Sequence, residues 1–329
     1  YKLGTKLGTG SYGVVYKVTK TDDNCSYVLK QIPLAGLQKN QKDEVKLEAD
    51  ILSSIQSKYV VKYYDSFEEN NNLNIIMEYC DGGDLNDYLE SQKKTKHYLN
   101  ENIIWKFFIK ITIGIADIHK KKILHRDLKT LNIFLKKELE VRVGDLGVAK
   151  ILNQTSFAKT FIGTPYYLSP EICEDKPYND KSDVWALGCI LYELCTYKHP
   201  FEAKSQGALI MKILNETQGK IPDFYSNDLK KMVNIILEKK YEKRPSCVDI
   251  LNMPFIIEKA KSLGLYEDII SSLGIENISN NINNVNNNIQ NDKNNNKKEK
   301  QKIGINDKNY AKPIIKGSNN NNIHRRPLS

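Results

Sequence analysis

Apolar positions recur along the chain with two periods, and the switch between them divides it. Val14, Val15, Tyr16 and Val18 have the β-branched and aromatic content of a strand, and residues 26–32 make a second such run. Leu47, Ile51 and Ile55 then fall on one helical stripe, and residues 73–79 alternate as a strand again. Beyond them the period turns helical, with Ile104, Phe107, Phe108, Ile111, Ile115 and Ile118 on one broad face. Ile133 to Leu135 and Val141 to Val143 flank a charged turn, which predicts a short hairpin inside the helical half. The pattern thins after Phe255, a short helix is expected over residues 266–273, and from Asn277 the chain is rich in Asn. Such a composition buries too little apolar surface to offset its ordering entropy, so disorder is expected there. The expected fold class is α+β. A small β-rich lobe with one main helix fills 1–80, a larger helical lobe fills 81–260, and an Asn- and Lys-rich tail, mostly disordered, fills 261–329.

Composition trims the possibilities. A chain of 329 residues with 40% hydrophobic content can bury a large core. Lys and Arg number 49 against 40 Asp and Glu, a mildly basic balance, but basic and aromatic residues are not interleaved and no nucleic-acid partner is expected. Six scattered cysteines without a CxxC suit a reducing compartment. The most apolar run, 103–118, is interrupted by Lys106, Lys110 and Asp117, so no membrane span is expected. The start at Tyr1, without Met or an apolar signal segment, reads as a cropped or processed start.

Chemistry concentrates in His125-Arg126-Asp127-Leu128-Lys129-Thr130-Leu131-Asn132. Phosphoryl transfer needs a hydroxyl placed in line with a phosphate and negative charge spread over cations. Asp127 would take or orient the hydroxyl proton, Lys129 would reach the transferring phosphate, and Asn132 would offer an oxygen to magnesium. The bland alternative is a solvated turn. Upstream, Gly8-Thr9-Gly10-Ser11-Tyr12-Gly13 would let backbone amides approach phosphate oxygens. A strand follows these glycines rather than a helix, so a hairpin flap is expected, with Tyr12 at its tip and Val15 on a nucleotide base. Lys30 lies among Tyr27, Val28, Leu29 and Ile32 and needs an anionic partner. On the following helix Glu48 is the candidate, with Glu44 as the runner-up.

H-R-D-L-K-x-x-N resembles the protein-kinase catalytic loop, and Asp145-Leu146-Gly147 resembles the magnesium-binding D-F-G element with Leu for Phe. The stretch from Asn153 to Glu171, the run Asp183 to Cys195, the Y-V-L-K around Lys30 and Phe134 within N-I-F-L are similar to NIMA-related (Nek) kinases over about residues 1–260. The resemblance implies a two-lobe Ser/Thr kinase that uses ATP and Mg2+ on protein substrates. It implies that Lys30 holds the α and β phosphates and pairs with Glu48. Val28 would narrow the adenine pocket, Met77 would gate it, Glu78 and Cys80 would present hinge backbone to adenine, Asp84 would bond the ribose, and Phe134 would belong to the same pocket. Asp145 and Asn132 would hold magnesium. Glu171 would pair with Arg244, and Asp183 would bond the catalytic-loop backbone or cap its own helix. Thr160 would carry an activating phosphate, from an upstream kinase or autophosphorylation, bound by Arg126 and Lys150. Thr164 would order the substrate-facing loop, and Val148 would bias the acceptor towards Thr. The resemblance further implies a cytoplasmic protein, with cytoskeletal or microtubule-associated partners and a cytoskeletal, centrosomal or ciliary location.

Overall fold

Strands β1 (Lys2–Gly10), β2 (Gly13–Thr19), β3 (Ser26–Pro33), β4 (Tyr63–Glu69) and β5 (Asn72–Glu78) form an antiparallel sheet in the order β1-β2-β3-β5-β4. The computed structural model describes residues 1–10, 13–145 and 165–274, apart from the side chains of residues 10, 40, 41, 44, 47 and 48. Ser11, Tyr12, Leu146, Val148, Lys150, Thr160, Thr164, the side chains of Glu44 and Glu48, and the tail from residue 275 therefore lie outside the described residues.

Alternation sorts the sheet's side chains between its faces. Val18, Leu29 and Ile76 pack together on one face. Ile32, Leu73 and Ile75 pack on the other, where Val45 and Ala49 of helix α1 (Lys39–Ser53) cover them. Lys30 is two residues from Ile32 and opposite both Val15 and Ile75, so it shares the α1 side.

The second layer is helical. After α2 (Leu85–Lys94) and α3 (Glu101–Lys120) come α4 (Pro170–Cys173), α5 (Asp180–Thr196), α6 (Gln206–Asn215), α7 (Asn227–Ile236), α8 (Cys247–Leu251), α9 (Pro254–Leu263) and α10 (Tyr266–Leu273). Every residue of α5 from Ser182 to Cys195 is buried, as expected for a helix enclosed on all sides. Its start differs from one expectation: Asn179, not Asp183, is the N-cap, in a reciprocal box with Ser182. Asp183 points elsewhere. The limit drawn at residue 260 falls inside α9, and the folded chain continues to the Gly264 turn and α10.

Between the layers, β6 (Ile133–Lys136) and β7 (Glu140–Val143) form the expected hairpin, with Ile133 opposite Val143. That register brings residues 132 and 144 to the same end, where Gly144 N donates to Asn132 O at 3.0 Å.

Candidate active site

The β1–β2 hairpin closes with Gly10 opposite Gly13, Thr9 opposite Val14 and Gly8 opposite Val15, the flap expected from the glycine spacing. Its glycines serve different ends. A Cβ on Gly13 would lie 2.0 Å from Gln31 O, so β3 packing alone forbids a side chain there. A Cβ on Gly8 would meet nothing within 4 Å, so the backbone at that point borders open space.

Beneath the flap, Lys30 Nζ reaches Asp145 Oδ1 at 2.6 Å. The two groups come from different layers and 115 positions apart, and the side chains are 20% and 46% exposed. Asp145 has φ 49°, a left-handed conformation that costs a non-glycine residue about 1 kcal/mol or more. Such strain is typically stored at working sites.

The loop before β6 draws its three predicted residues together. Lys129 Nζ lies 2.9 Å from Asp127 Oδ2. Asn132 Nδ2 donates to Asp127 O at 2.6 Å and to Asp127 Oδ2 at 3.0 Å. Both amide hydrogens are thereby used, so the Asn132 carbonyl oxygen is the end turned away from Asp127. Together with the Asp145 carboxylate it makes a hard-oxygen donor set, which fits magnesium carried by a nucleotide, an ion that needs only one or two protein carboxylates. No cluster of three or more His, Cys, Asp or Glu side chains suited to a resident ion occurs among the described residues.

Asp183 holds this loop from below. Its Oδ2 accepts from His125 N at 2.8 Å and its Oδ1 from Arg126 N at 3.0 Å, which pins Arg126 at φ 63°. His119 Nε2 lies 2.8 Å from Oδ2, and the Tyr178 hydroxyl donates to Oδ1 at 2.5 Å. Burial opposes the Asp183 charge, but the bond to His119 and its charge, with the bond from Tyr178, outweigh it and lower its pKa. For His125, burial lowers the pKa despite the carboxylates around it, so the ring stays neutral and one nitrogen bonds Gly144 O at 3.1 Å. His119 and Tyr178 carry no sequence signal for these roles; only the fold brings them to Asp183. The same holds for Tyr167, whose hydroxyl lies 3.0 Å from Thr130 Oγ1 in the catalytic loop.

The linking segment is tied to the β6–β7 hairpin. Glu78 accepts from Lys136 at 2.7 Å and Arg142 at 3.0 Å. Burial opposes its charge, and these cations nevertheless lower its pKa. Gly82 N donates to Leu135 O and Leu135 N to Gly83 O, both at 2.8 Å. A Cβ on Gly82 would lie 2.8 Å from Leu135 O, so this approach requires glycine. Asp84 forms an isolated bridge with Phe134 and caps α2 by accepting from Asp87 N at 2.9 Å. Cys80 is partly buried, and desolvation pushes its thiol up to about 12, which leaves it protonated and inert. Val28 pairs with Met77 across β3 and β5, on the Lys30 face. Glu171 is buried against Arg244, with Nη1 to Oε1 at 2.9 Å and Nη2 to Oε2 at 3.2 Å.

A family model described as protein kinase domain matches residues 1–256. Serine/threonine-protein kinase Nek1 of Mus musculus is 43% identical over 255 residues, covering 77% of this chain and 21% of the relative. Human Nek5 is 40% identical over 258 residues, with 78% and 36% covered, and human Nek2 is 39% identical over 266 residues, with 78% and 60% covered. The chain thus spans between about a fifth and three-fifths of the length of these relatives.

Proposed function

The chain belongs to the protein kinase family, with Nek kinases among its relatives, and from that premise we propose that it transfers the γ-phosphoryl group of ATP to Ser and Thr hydroxyls of proteins. The observation that carries this reading is the joining of two carboxylates through one hairpin end. Asp127 is held by Lys129 and Asn132, Asn132 is bonded to Gly144, and the next residue is Asp145, which meets Lys30.

In this reading Asp127 orients the acceptor hydroxyl and takes its proton, while Lys129 offsets charge developing on the transferred group. Lys30 holds phosphate oxygens. With Lys30 seated on the sheet and Asp145 on the hairpin, bringing the lobes together is what assembles the site. Asp145 and Asn132 would hold magnesium, which would supply positive charge to offset that of the phosphates. Gly8, Thr9, Gly10 and Gly13 line the flap over the phosphates, and Ser11 and Tyr12 would complete it. Val15, Val28, Met77, Phe134 and the backbone of Glu78 and Cys80 enclose the base, and Asp84 lies by the ribose.

Regulation follows the same chemistry. A phosphate on Thr160 adds about −1.5 to −2 charges, which Arg126, adjacent to Asp127, and Lys150 would bind, while Thr164 would order the substrate loop and Glu48 would pair with Lys30. Protein substrates and cytoskeletal partners in a cytoplasmic setting suit this function. None of the helices among the described residues is long and apolar enough to cross a membrane. The test is transfer of radiolabelled phosphate from ATP to a peptide array with magnesium present. Incorporation into Ser or Thr that disappears in Asp145→Asn supports the proposal; no incorporation by the wild-type chain, with Thr160 phosphorylated, overturns it.

A further inference from the structure

The family match ends at residue 256, yet α10 lies beyond it and bonds the segment that leads from α1 into β4. Asp268, in the first turn of α10, accepts from Lys58 Nζ at 3.0 and 3.1 Å and from the Tyr59 hydroxyl. A second bridge runs beside the first. Asp117 of α3 accepts from Ser57 Oγ at 2.6 Å and from Ser272 Oγ at 2.7 Å. Residues 57–59 are therefore fastened to α10 both directly and through α3.

Tyr59 is only 1% exposed, and Asp268 is the acceptor that its hydroxyl finds. Its backbone is held equally closely. Val143 N donates to Tyr59 O at 2.7 Å, and Val61 N donates to Val143 O at 2.8 Å. A Cβ on Gly114 of α3 would stand 2.9 Å from Tyr59 O and 3.0 Å from Val143 Cγ2, so there is no slack between the helix and this junction. Val143 ends β7, and two residues later comes Asp145. An unbroken series of bonds thus runs from the α10 carboxylate through Tyr59 and Val143 to the strand end that carries Asp145.

We propose that Asp268 is a positioning residue for phosphoryl transfer: by anchoring Tyr59 it fixes the end of β7 and so the placement of Asp145. The inference rests on the phosphoryl-transfer reading. It makes α10 a working part of the catalytic apparatus rather than a trailing helix.

The substitutions separate charge, hydrogen bond and fold. Asp268→Asn keeps an oxygen for the Tyr59 hydroxyl, Asp268→Ala removes it, and Tyr59→Phe removes the donor. In the full chain, with ATP, magnesium and a peptide substrate, Asp268→Ala should lower kcat/KM for ATP roughly two- to thirtyfold, the range for residues that act through a coupled network. KM for the peptide should stay unchanged. Asp268→Asn should recover most of the loss, and Asp268→Ala combined with Tyr59→Phe should lose no more than the worse single variant. Hydrogen exchange supplies a readout that needs no activity: amides of 141–145 should exchange faster in Asp268→Ala, while those of β1 and β2 stay as in the wild type. Unchanged kcat/KM for ATP, a loss that Asp268→Asn does not recover, or unaltered exchange over 141–145 would each overturn the proposal. A wild-type chain that transfers no phosphate would instead sink the phosphoryl-transfer reading, and the exchange arm would still decide whether Asp268 positions β7.

Discussion

The cleft and the scaffold beneath it are built from the same kinds of ion pair and differ in water. In the cleft, Lys30 meets Asp145 with side chains 20% and 46% exposed, and Lys129 meets Asp127 at 22% and 26%. In the scaffold, Arg244 meets Glu171 at 0% and 1%, and His119 meets Asp183 at 12% and 0%. Half-wet pairs exchange partners at little cost, because water replaces what is lost. Dry pairs cannot, since a partner removed leaves an uncompensated charge in low dielectric. The molecule therefore keeps its working charges where they can let go and its structural charges where they cannot.

Two substitutions should pull this comparison apart most strongly. Asp127→Asn should lower kcat by about 10² to 10⁴, the range for a positioned acid–base group, while the urea midpoint stays near wild type. Steady-state rates beside an unfolding curve check it, and a large loss of stability would mean that Asp127 is structural after all. Arg244→Ala should do the reverse. Stranding Glu171 should cost about 3–5 kcal/mol of stability, read from urea unfolding, and a change below roughly 1 kcal/mol, the scale of exposed pairs, would erase the distinction between the regions.

What the sequence makes legible follows the same division. Asp127, Lys129 and Asn132 stand within six positions, so their meeting depends on one loop and can be anticipated from spacing. Lys30 advertises itself as a cation in an apolar strand. The flap follows from glycines preceding β-branched residues. The scaffold leaves fewer marks. Asn179, Asp180, Ser182 and Asp183 all suit a helix start, and composition cannot choose among them; only the turn geometry selects Asn179 and frees Asp183 for the loop. Tyr167 and Thr130 are 37 positions apart, and Tyr59 and Asp268 are 209 apart. Contacts at such separations have no periodicity to betray them.

The scaffold can also be titrated, and the sign is fixed by His119. Burial would lower its pKa, but the Asp183 bond, with Cys247 beside it, raises it to about 10 from 6.5. A raised pKa means that the folded state holds the proton more tightly. Its stabilisation is complete below about pH 6.5 and is lost progressively as pH rises to about 10. Asp183, with its pKa lowered, acts at the other limb: its contribution is present above 3.8 and is lost as pH falls through the folded value. The stability difference between wild type and His119→Gln should therefore shrink steadily from pH 6.5 to 10 in urea unfolding. A difference that stays flat across that window would mean that His119 is neutral against Asp183.

The smallest effect is expected where cleft and scaffold touch. Tyr167 is largely buried; desolvation and the nearby Glu193 charge both raise its phenol pKa, so the hydroxyl keeps its proton. It meets Thr130 Oγ1 at 3.0 Å and Thr130 N at 3.4 Å, one residue after Lys129 and two before Asn132. Tyr167→Phe removes one hydroxyl without opening a cavity, but leaves Thr130, itself 2% exposed, short of a partner. A net hydrogen bond of this kind contributes about 0.5–1.5 kcal/mol. Because the loss falls on the catalytic loop itself, kcat should also drop, by about threefold, on the scale of a displaced rather than a removed catalytic group. Thr130→Val combined with Tyr167→Phe replaces both polar partners by apolar groups and should restore most of the stability, as matched removal of a buried pair usually does. It should not restore kcat, since the loop would then lack its tether. If stability and kcat recovered together, the tether would be only packing. If the single variant lost stability with kcat unchanged, cleft and scaffold would be separable even at the residue that joins them.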